Sequence, residues 1–314
     1  MADPAGASDL SPTVGPGTDA GPRGGKRTTP RPGRTGQGPD SRDRRRARRR
    51  PGPAGEAPSP LAVGVAGVAA FVFLLPFAGL LWRAPWSGLV EELRQPEVRT
   101  ALRLSLVCSV SATAASLVLG LPLAWLLARV PFPGRGLLRA AVTLPIVFPP
   151  VVGGIALLFA FGRRGLVGRY LFEWFGVRLP FTTTGTVMAE TFVAMPFLVL
   201  SVEAALRSMD RRLEDAARTL RAGRWATFRH VTLPAIRPSL VAGSVLCWAR
   251  ALGEFGATIT FAGSFPGKTQ TIPLAAYLAL ERDTDAAVAL SLVLLAVSVV
   301  VLVGLRDRWY GAPS

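Results

Sequence analysis

The stretch LEDAARTLRAGRWATFRHVTLPAIRP, residues 213–238, separates two apolar runs that are each long enough to cross a bilayer. The stretch is basic and amphipathic, and ionisable side chains are costly inside a hydrocarbon core, so it cannot itself be transmembrane. It predicts a loop at one face of a membrane, between two spanning helices. An all-α integral membrane protein follows, because helices satisfy their own backbone hydrogen bonds in lipid.

Composition supports this class of protein and argues against an ordinary soluble one. Hydrophobic residues make up 50% of the 314 residues, and the mean hydropathy is +0.37. Apolar runs that can each cross a hydrocarbon core of about 30 Å are predicted as six transmembrane helices. They cover residues 61–82, 102–127, 138–161, 185–206, 238–255 and 286–305. The fifth run is the weakest, since Arg250 and Glu254 interrupt its end.

The N-terminal residues differ from the rest in composition. Residues 1–59 are rich in Pro, Gly and Arg and bury too little apolar surface to offset their ordering entropy, which predicts a disordered tail. The basic run at 42–50 is of a kind that contacts nucleic acid or anionic lipid. Because a membrane span follows closely, we favour a topological anchor that holds the N-terminus in the cytoplasm.

Positive charge predicts the orientation of the chain. With the N-terminus inside, 25 Lys and Arg residues lie on the cytoplasmic side and 10 on the other. Cytoplasmic loops carry the excess of Lys and Arg in membrane proteins. We therefore predict a multi-pass membrane protein with both termini in the cytoplasm. The high content of Ala, Arg, Gly and Pro is typical of a GC-rich bacterial genome, so the membrane is predicted to be the bacterial plasma membrane.

Residues 213–238 have the pattern of a short helix, a turn and a second short helix. The acids Glu214 and Asp215 fall in the first turn, where the helix dipole favours negative charge. Gly223 is predicted to end the first helix. The second helix is predicted around three apolar positions, and the first around a face with helical spacing. These sets are Trp225, Phe228 and Val231, and Leu213, Ala216, Ala217 and Leu220. Such a helix either docks into a groove on a soluble partner or lies on the membrane surface.

A second group of residues singled out by the sequence lies in or near the predicted spans. Arg250 and Glu254 are four residues apart on a predicted helix, so they are placed to pair. The two residues form a structural ion pair, or Arg250 provides a local positive potential that attracts an anion. The second span has small residues at helical spacing, which favour helix packing over a polar pathway. They are Ser105, Ser109, Ala112, Ser116 and Gly120.

Other chemistry has little sequence support. Cys108 and Cys247 each fall in an apolar run, which predicts buried thiols without a disulfide framework. His230 is the only histidine, and we predict no metal site, no cofactor and no catalytic residues. The segment GSFPGKT at 263–269 has three residues between its glycines where a nucleotide-binding loop has four. ATP hydrolysis would therefore have to come from another chain.

The loop resembles the Glu-Ala-Ala (EAA) loop of ABC-importer permeases, the segment that docks into the ATPase subunit. Asp215, Ala216 and Ala217 match its Glu-Ala-Ala, and Leu233 and Pro234 match its Leu-Pro. Two departures stand out. Asp215 replaces the usual Glu, with Glu214 beside it. Arg221 occupies the position of the turn glycine and Gly223 follows two residues later, which predicts a shifted turn.

The resemblance extends over residues 100–305. Leu144-Pro145, Pro149 to Val152, Gly154, the FGRRG run at 161–165 and MPF at 195–197 are similar to molybdate and sulfate permeases. The segment ALGEFGATITFAGSFPGKTQTIPLAAYLALE at 251–281 is more similar to the molybdate branch. We accordingly divide the chain into four parts. They are the tail 1–59, a first helix and outer loop at 60–99, an ABC-importer transmembrane domain at 100–306 and a cytoplasmic tail at 307–314.

The resemblance implies a permease subunit, itself without enzymatic activity, of a type I ABC importer for molybdate or tungstate. Its implied partners are a pair of ATPase subunits, an extracytoplasmic oxyanion-binding protein, a second permease copy and membrane lipid, without nucleic acid. The implied ATPase-coupling residues are Glu214, Asp215, Ala216, Ala217, Arg221, Gly223, Leu233 and Pro234. Pathway candidates are Arg250, Glu254, Thr258 and Thr260. Alternatives are a sulfate or thiosulfate permease and, in a different class, an ion-coupled secondary transporter.

Overall fold

A computed structural model describes residues 59–310, which form thirteen α-helices and one π-helical turn. The first seven are α1 (Pro60–Trp82), α2 (Leu89–Arg94), α3 (Pro96–Arg129), α4 (Arg135–Val147), α5 (Pro150–Phe161), α6 (Gly168–Phe175) and α7 (Thr183–Ser208). The rest are α8 (Arg212–Thr219), α9 (Arg224–Thr227), the π turn (Phe228–Thr232), α10 (Leu233–Leu252), α11 (Gly256–Phe261), α12 (Ile272–Leu280) and α13 (Thr284–Tyr310). Residues 1–58 and 311–314 of the predicted tails lie outside the described residues, whereas 307–310 continue α13 instead of starting a separate tail.

The all-α class is confirmed, and among residues 59–310 five helices are long and apolar enough to cross a membrane. They are α1, α3, α7, the continuous stretch Arg224–Leu252 and α13. The predicted single helix over 138–161 is wrong, since α4 and α5 divide it. Phe148 and Pro149 have extended backbone with ψ of 135° and 126°. Pro149 and Pro150 lack an N–H, and each disfavours the helical conformation in the residue before it.

The fifth span also differs from the prediction. Pro238 was expected to mark its start, but it lies inside α10, which begins at Leu233 and ends at Leu252. Pro234 instead follows the π turn, inside the continuous stretch Arg224–Leu252, where it has no N–H to donate to the preceding turn. The predicted second helix of the loop is likewise not separate, because α9 and the π turn run on into α10.

The main core lies among α3, α7 and α10, and it includes Leu127, Leu198 and Ile236. All five small residues of α3 are buried, as predicted for helix packing; Ala112 belongs to this core, whereas Ser105 accepts from the N–H of Ile272 at the start of α12. A Cβ atom on Gly120 would stand 3.2 Å from Cγ2 of Val199, so the α3 and α7 backbones approach closely there. Cys108 and Cys247 are free and buried, as predicted.

A second core connects α5, α7 and α11 through Leu157, Ala189 and Phe261. Two glycines allow the close contact of α5 with α11. A Cβ on Gly154 would lie 1.7 Å from Oγ1 of Thr260, and one on Gly256 would lie 2.8 Å from Cβ of Pro150. Thus α5 is attached to the end of α7 that is distant from the loop.

Candidate functional site

The loop between α7 and α10 keeps the turn position that the resemblance gives it. Arg221 has a φ of 58°, the left-handed conformation, whereas Gly223 has ordinary extended backbone with a φ of −64°. The N–H of Ala222 donates to the oxygen of Ala217 at 3.0 Å, and that of Arg221 to Arg218 at 2.9 Å. This pair of bonds is a Schellman motif, which usually has glycine where Arg221 stands.

Two predictions about this turn are therefore wrong. Gly223 does not end α8, which ends at Thr219, but forms the N-cap of α9. The turn is not shifted towards Gly223 either, because Arg221 adopts the strained conformation itself. A left-handed residue other than glycine costs roughly 1–2 kcal/mol, and the surrounding helices hold it in place.

The predicted apolar face of α8 points away from the rest of the described chain. Leu220 is 84% exposed and Leu213 is also exposed, whereas Ala217 is half-buried. Beyond the turn, Trp225 is 71% exposed and its ring stacks on Phe228 with a centroid separation of 5.6 Å. An apolar surface of this kind in a polar loop is typical of a protein-docking site.

The two neighbouring acids of α8 have different environments. Oε1 of Glu214 lies 3.3 Å from Nη2 of Arg129 and accepts a hydrogen bond of 2.8 Å from the Thr232 hydroxyl. The side chain of Glu214 is only 12% exposed, and that of Arg129 is also buried. Asp215 instead pairs with Arg218 at 3.3 Å, where both side chains are mostly exposed. Glu214 therefore fastens α8 to the end of α3 and to the start of α10.

A pocket of about 770 Å³ opens between the end of α3 and this loop. Four arginines line it, together with Glu214 and Asp215, so its surface has an excess of positive charge. They are Arg129, Arg211, Arg218 and Arg224.

The pair predicted at the end of the fifth span does form. Nη1 of Arg250 lies 2.5 Å from Oε2 of Glu254, and Oε1 of Glu254 accepts from the N–H of Ala257 at 2.7 Å. The two residues do not share one helix as predicted, because α10 ends at Leu252 and Glu254 lies in the break before α11. Glu254 is buried, and its carboxylate satisfies an N–H of the first turn of α11.

The threonines predicted to line a pathway lie on α11. Thr258 is fully buried, and its hydroxyl has no hydrogen-bond partner within the described residues. The hydroxyl of Thr260 donates to the carbonyl of Gly256 at 2.9 Å and contacts α5. In this conformation Thr260 belongs to the helix contact between α5 and α11, and Thr258 is buried on the same short helix.

Sequence reasoning missed two buried acids on α7. Glu203 lies between Arg139 of α4, at 3.1 Å, and Arg207, also at 3.1 Å. Glu190 is buried nearer the other end of α7, and its Oε2 has no partner among the described residues. Both acids interrupt an apolar run, a signal that marks functional candidates inside a membrane.

The comparisons with known proteins agree with this architecture. Residues 116–311 match the family described as the binding-protein-dependent transport system inner membrane component. The molybdenum transport system permease protein ModB of Mycobacterium bovis is 46% identical over 246 residues, covering 77% of this chain and 91% of that protein. The sulfate transport system permease protein CysT of Escherichia coli is 37% identical over 235 residues, covering 74% and 84% respectively.

The fold is shared with a solved transporter. A bacterial alginate ABC transporter, crystallised in complex with an alginate pentasaccharide-bound periplasmic protein, superimposes with a TM-score of 0.63 at 20% identity. The match covers 80% of this chain and 95% of that one. The predicted resemblance to importer permeases is thus confirmed, and the chain belongs to the family of binding-protein-dependent transport system inner membrane components.

Proposed function

We propose that this protein is the membrane permease subunit of an ATP-driven importer that moves molybdate into the cell. The main support is the 46% identity to a molybdenum permease over 91% of its length, against 37% for a sulfate permease. Both oxyanions are tetrahedral and doubly charged. An extracytoplasmic binding protein delivers the oxyanion, and a second copy of this chain completes the pore.

The exposed apolar face of α8 is the site at which an ATPase subunit docks. Leu213, Leu220 and Trp225 are covered by the partner, and the arginines of the adjacent pocket attract its acidic surface. ATP is cytoplasmic, so the α8–α9 loop lies in the cytoplasm. The alternation of spans then places both termini there as well.

Coupling follows from the attachment of α8. Closure of the ATPase subunits displaces α8, and the Glu214 contacts pass this displacement to Arg129 at the end of α3 and to Thr232 before α10. Because α3 and α10 pack in one core with α7, the three spans move together. Asp215, Ala216 and Ala217 shape the docking surface, while Leu233 and Pro234 begin the helix that is moved.

Molybdate uptake tests this function in a strain that lacks the chromosomal copy of the gene. Wild-type protein restores uptake, whereas Leu220→Asp abolishes it and releases the ATPase during co-purification, because it places a charge on the docking face. Leu220→Met is the matched control and retains both. ATP-independent uptake driven by an ion gradient would contradict the proposal in favour of a secondary transporter. Restoration of sulfate but not molybdate uptake would instead identify the rival substrate.

A further inference from the structure

The segment between α5 and α7 has an unexplained excess of positive charge. Residues 162–178 contain one acid, Glu173, and four arginines, Arg163, Arg164, Arg169 and Arg178. Within the described part of the chain, none of these arginines forms an ion pair. The segment lies at the opposite end of α7 from the α8–α9 loop, on the side where the positive-inside rule disfavours arginine.

Three of these arginines form cation–π contacts with aromatic rings. The guanidinium carbon of Arg163 lies 4.3 Å from the ring centre of Phe172, and that of Arg178 lies 4.9 Å from the same centre. Arg169 lies 4.5 Å from the ring centre of Tyr170. A guanidinium stacked on a ring keeps its N–H edge free for a phosphate oxygen, which it can bind through two hydrogen bonds.

An apolar groove of about 280 Å³ lies along α6, the short helix within this segment. Its lining residues have helical spacing, so they share one face, and Phe172 lies beside that face. They are Val167, Tyr170, Leu171, Trp174 and Phe175. Trp174 is 72% exposed and Phe175 is similarly exposed. Aromatic residues beside arginines on a short amphipathic helix are typical of the boundary between lipid headgroups and acyl chains.

We propose that α6 lies in this membrane boundary and binds an anionic phospholipid. The phosphodiester group is held by Arg163 and Arg178, which both contact the Phe172 ring, and an acyl chain follows the apolar groove. A lipid matches both the arginines and the apolar groove, because its headgroup neutralises the arginines and its acyl chain covers Trp174 and Phe175. A soluble acidic partner would match only the charge. This site is independent of the proposed substrate and of ATPase docking.

Native mass spectrometry of the purified full-length protein tests the site with phosphatidylglycerol and phosphatidylcholine as probes. Wild-type protein prefers phosphatidylglycerol, and the double variant Arg163→Gln, Arg178→Gln binds it about thirtyfold more weakly. Phe172→Leu keeps both charges but removes the ring on which the two arginines stack, so the affinity for phosphatidylglycerol falls about threefold. The melting temperature of each variant in neutral detergent reports whether the fold is retained.

The matched control is Lys268→Gln, Arg282→Gln, which removes two exposed cations at the same end of the helices without an aromatic contact. It retains the affinity of wild type for phosphatidylglycerol. If both double variants lost affinity for phosphatidylglycerol equally, net charge alone would explain the binding, and the proposal would be overturned. Loss of binding-protein capture by Arg163→Gln, Arg178→Gln with unchanged lipid affinity would also overturn it, and would assign the surface to a protein partner.

Discussion

Two carboxylates, the half-buried Glu214 in the loop and the buried Glu254 in the break after α10, each accept from an arginine and from one further donor. The partners of Glu214 are distant in sequence, since Arg129 precedes it by 85 residues and Thr232 follows it by 18. The partners of Glu254 are Arg250 and Ala257, within four residues on either side. The first cluster therefore connects separate elements, whereas the second stabilises one interruption of the chain.

The largest effect on stability is expected at Glu254. Glu254→Ala leaves Arg250 without its partner and removes the acceptor for the first turn of α11. Loss of one partner of a buried ion pair costs about 3–5 kcal/mol, and the partial exposure of Arg250 places the expected value near the lower end. Thermal unfolding in detergent measures it. An unchanged melting temperature would show that the break is held by packing alone.

Glu214→Gln is expected to affect coupling more than folding. The amide keeps a hydrogen bond to Thr232 but loses the attraction to Arg129, so α8 moves without drawing α3 with it. We expect molybdate uptake to fall about tenfold while the ATPase still co-purifies, an effect that corresponds to about 1.4 kcal/mol. Thr232→Ser keeps the hydroxyl and serves as the matched control with near-normal uptake. Simultaneous loss of the ATPase would show that Glu214 belongs to the docking surface itself.

Arg221→Gly is expected to stabilise the loop by about 1 kcal/mol, because glycine adopts a positive φ without the steric cost that a side chain incurs. Gly223→Ala is the inverse control. Its φ is ordinary and no atom lies within 4 Å of the added Cβ, so its stability stays close to that of wild type. Amide hydrogen exchange in residues 217–222 measures both changes. Faster exchange in Arg221→Gly would contradict the strain argument.

The smallest effect is expected for Asp215→Asn. Its pair with Arg218 is exposed to solvent, and exposed ion pairs contribute only about 0–1 kcal/mol. The free energy of unfolding, measured by thermal unfolding in detergent, should therefore change by less than about 1 kcal/mol. A larger loss would show that this exposed pair, and not only Glu214, holds the loop in place.

The membrane class, most of the spans and the helical loop were predictable from residue patterns, because apolar length and periodicity act locally. The break at Phe148 and Pro149 was also within reach, since two consecutive prolines disfavour a continuous helix. The role of Glu214 could not be predicted from the sequence, because its neighbours in sequence do not indicate that Arg129 lies beside it. The turn at Arg221 was mispredicted because the two Schellman hydrogen bonds fix it there against the conformational preference of a residue with a side chain.

The division of the third span into α4 and α5 has a mechanical consequence. Glu203 attaches α4 to the loop end of α7, whereas Gly154 and Gly256 seat α5 against α11. Bending an unbroken helix in lipid would expose backbone groups at a cost of several kcal/mol each, but Pro149 and Pro150 have no N–H to expose. The break therefore lets α4 and α5 change their mutual angle without exposing an unsatisfied N–H at these two positions. Because α4 is attached to α7 and α5 to α11, such a change would alter the two ends of the bundle separately.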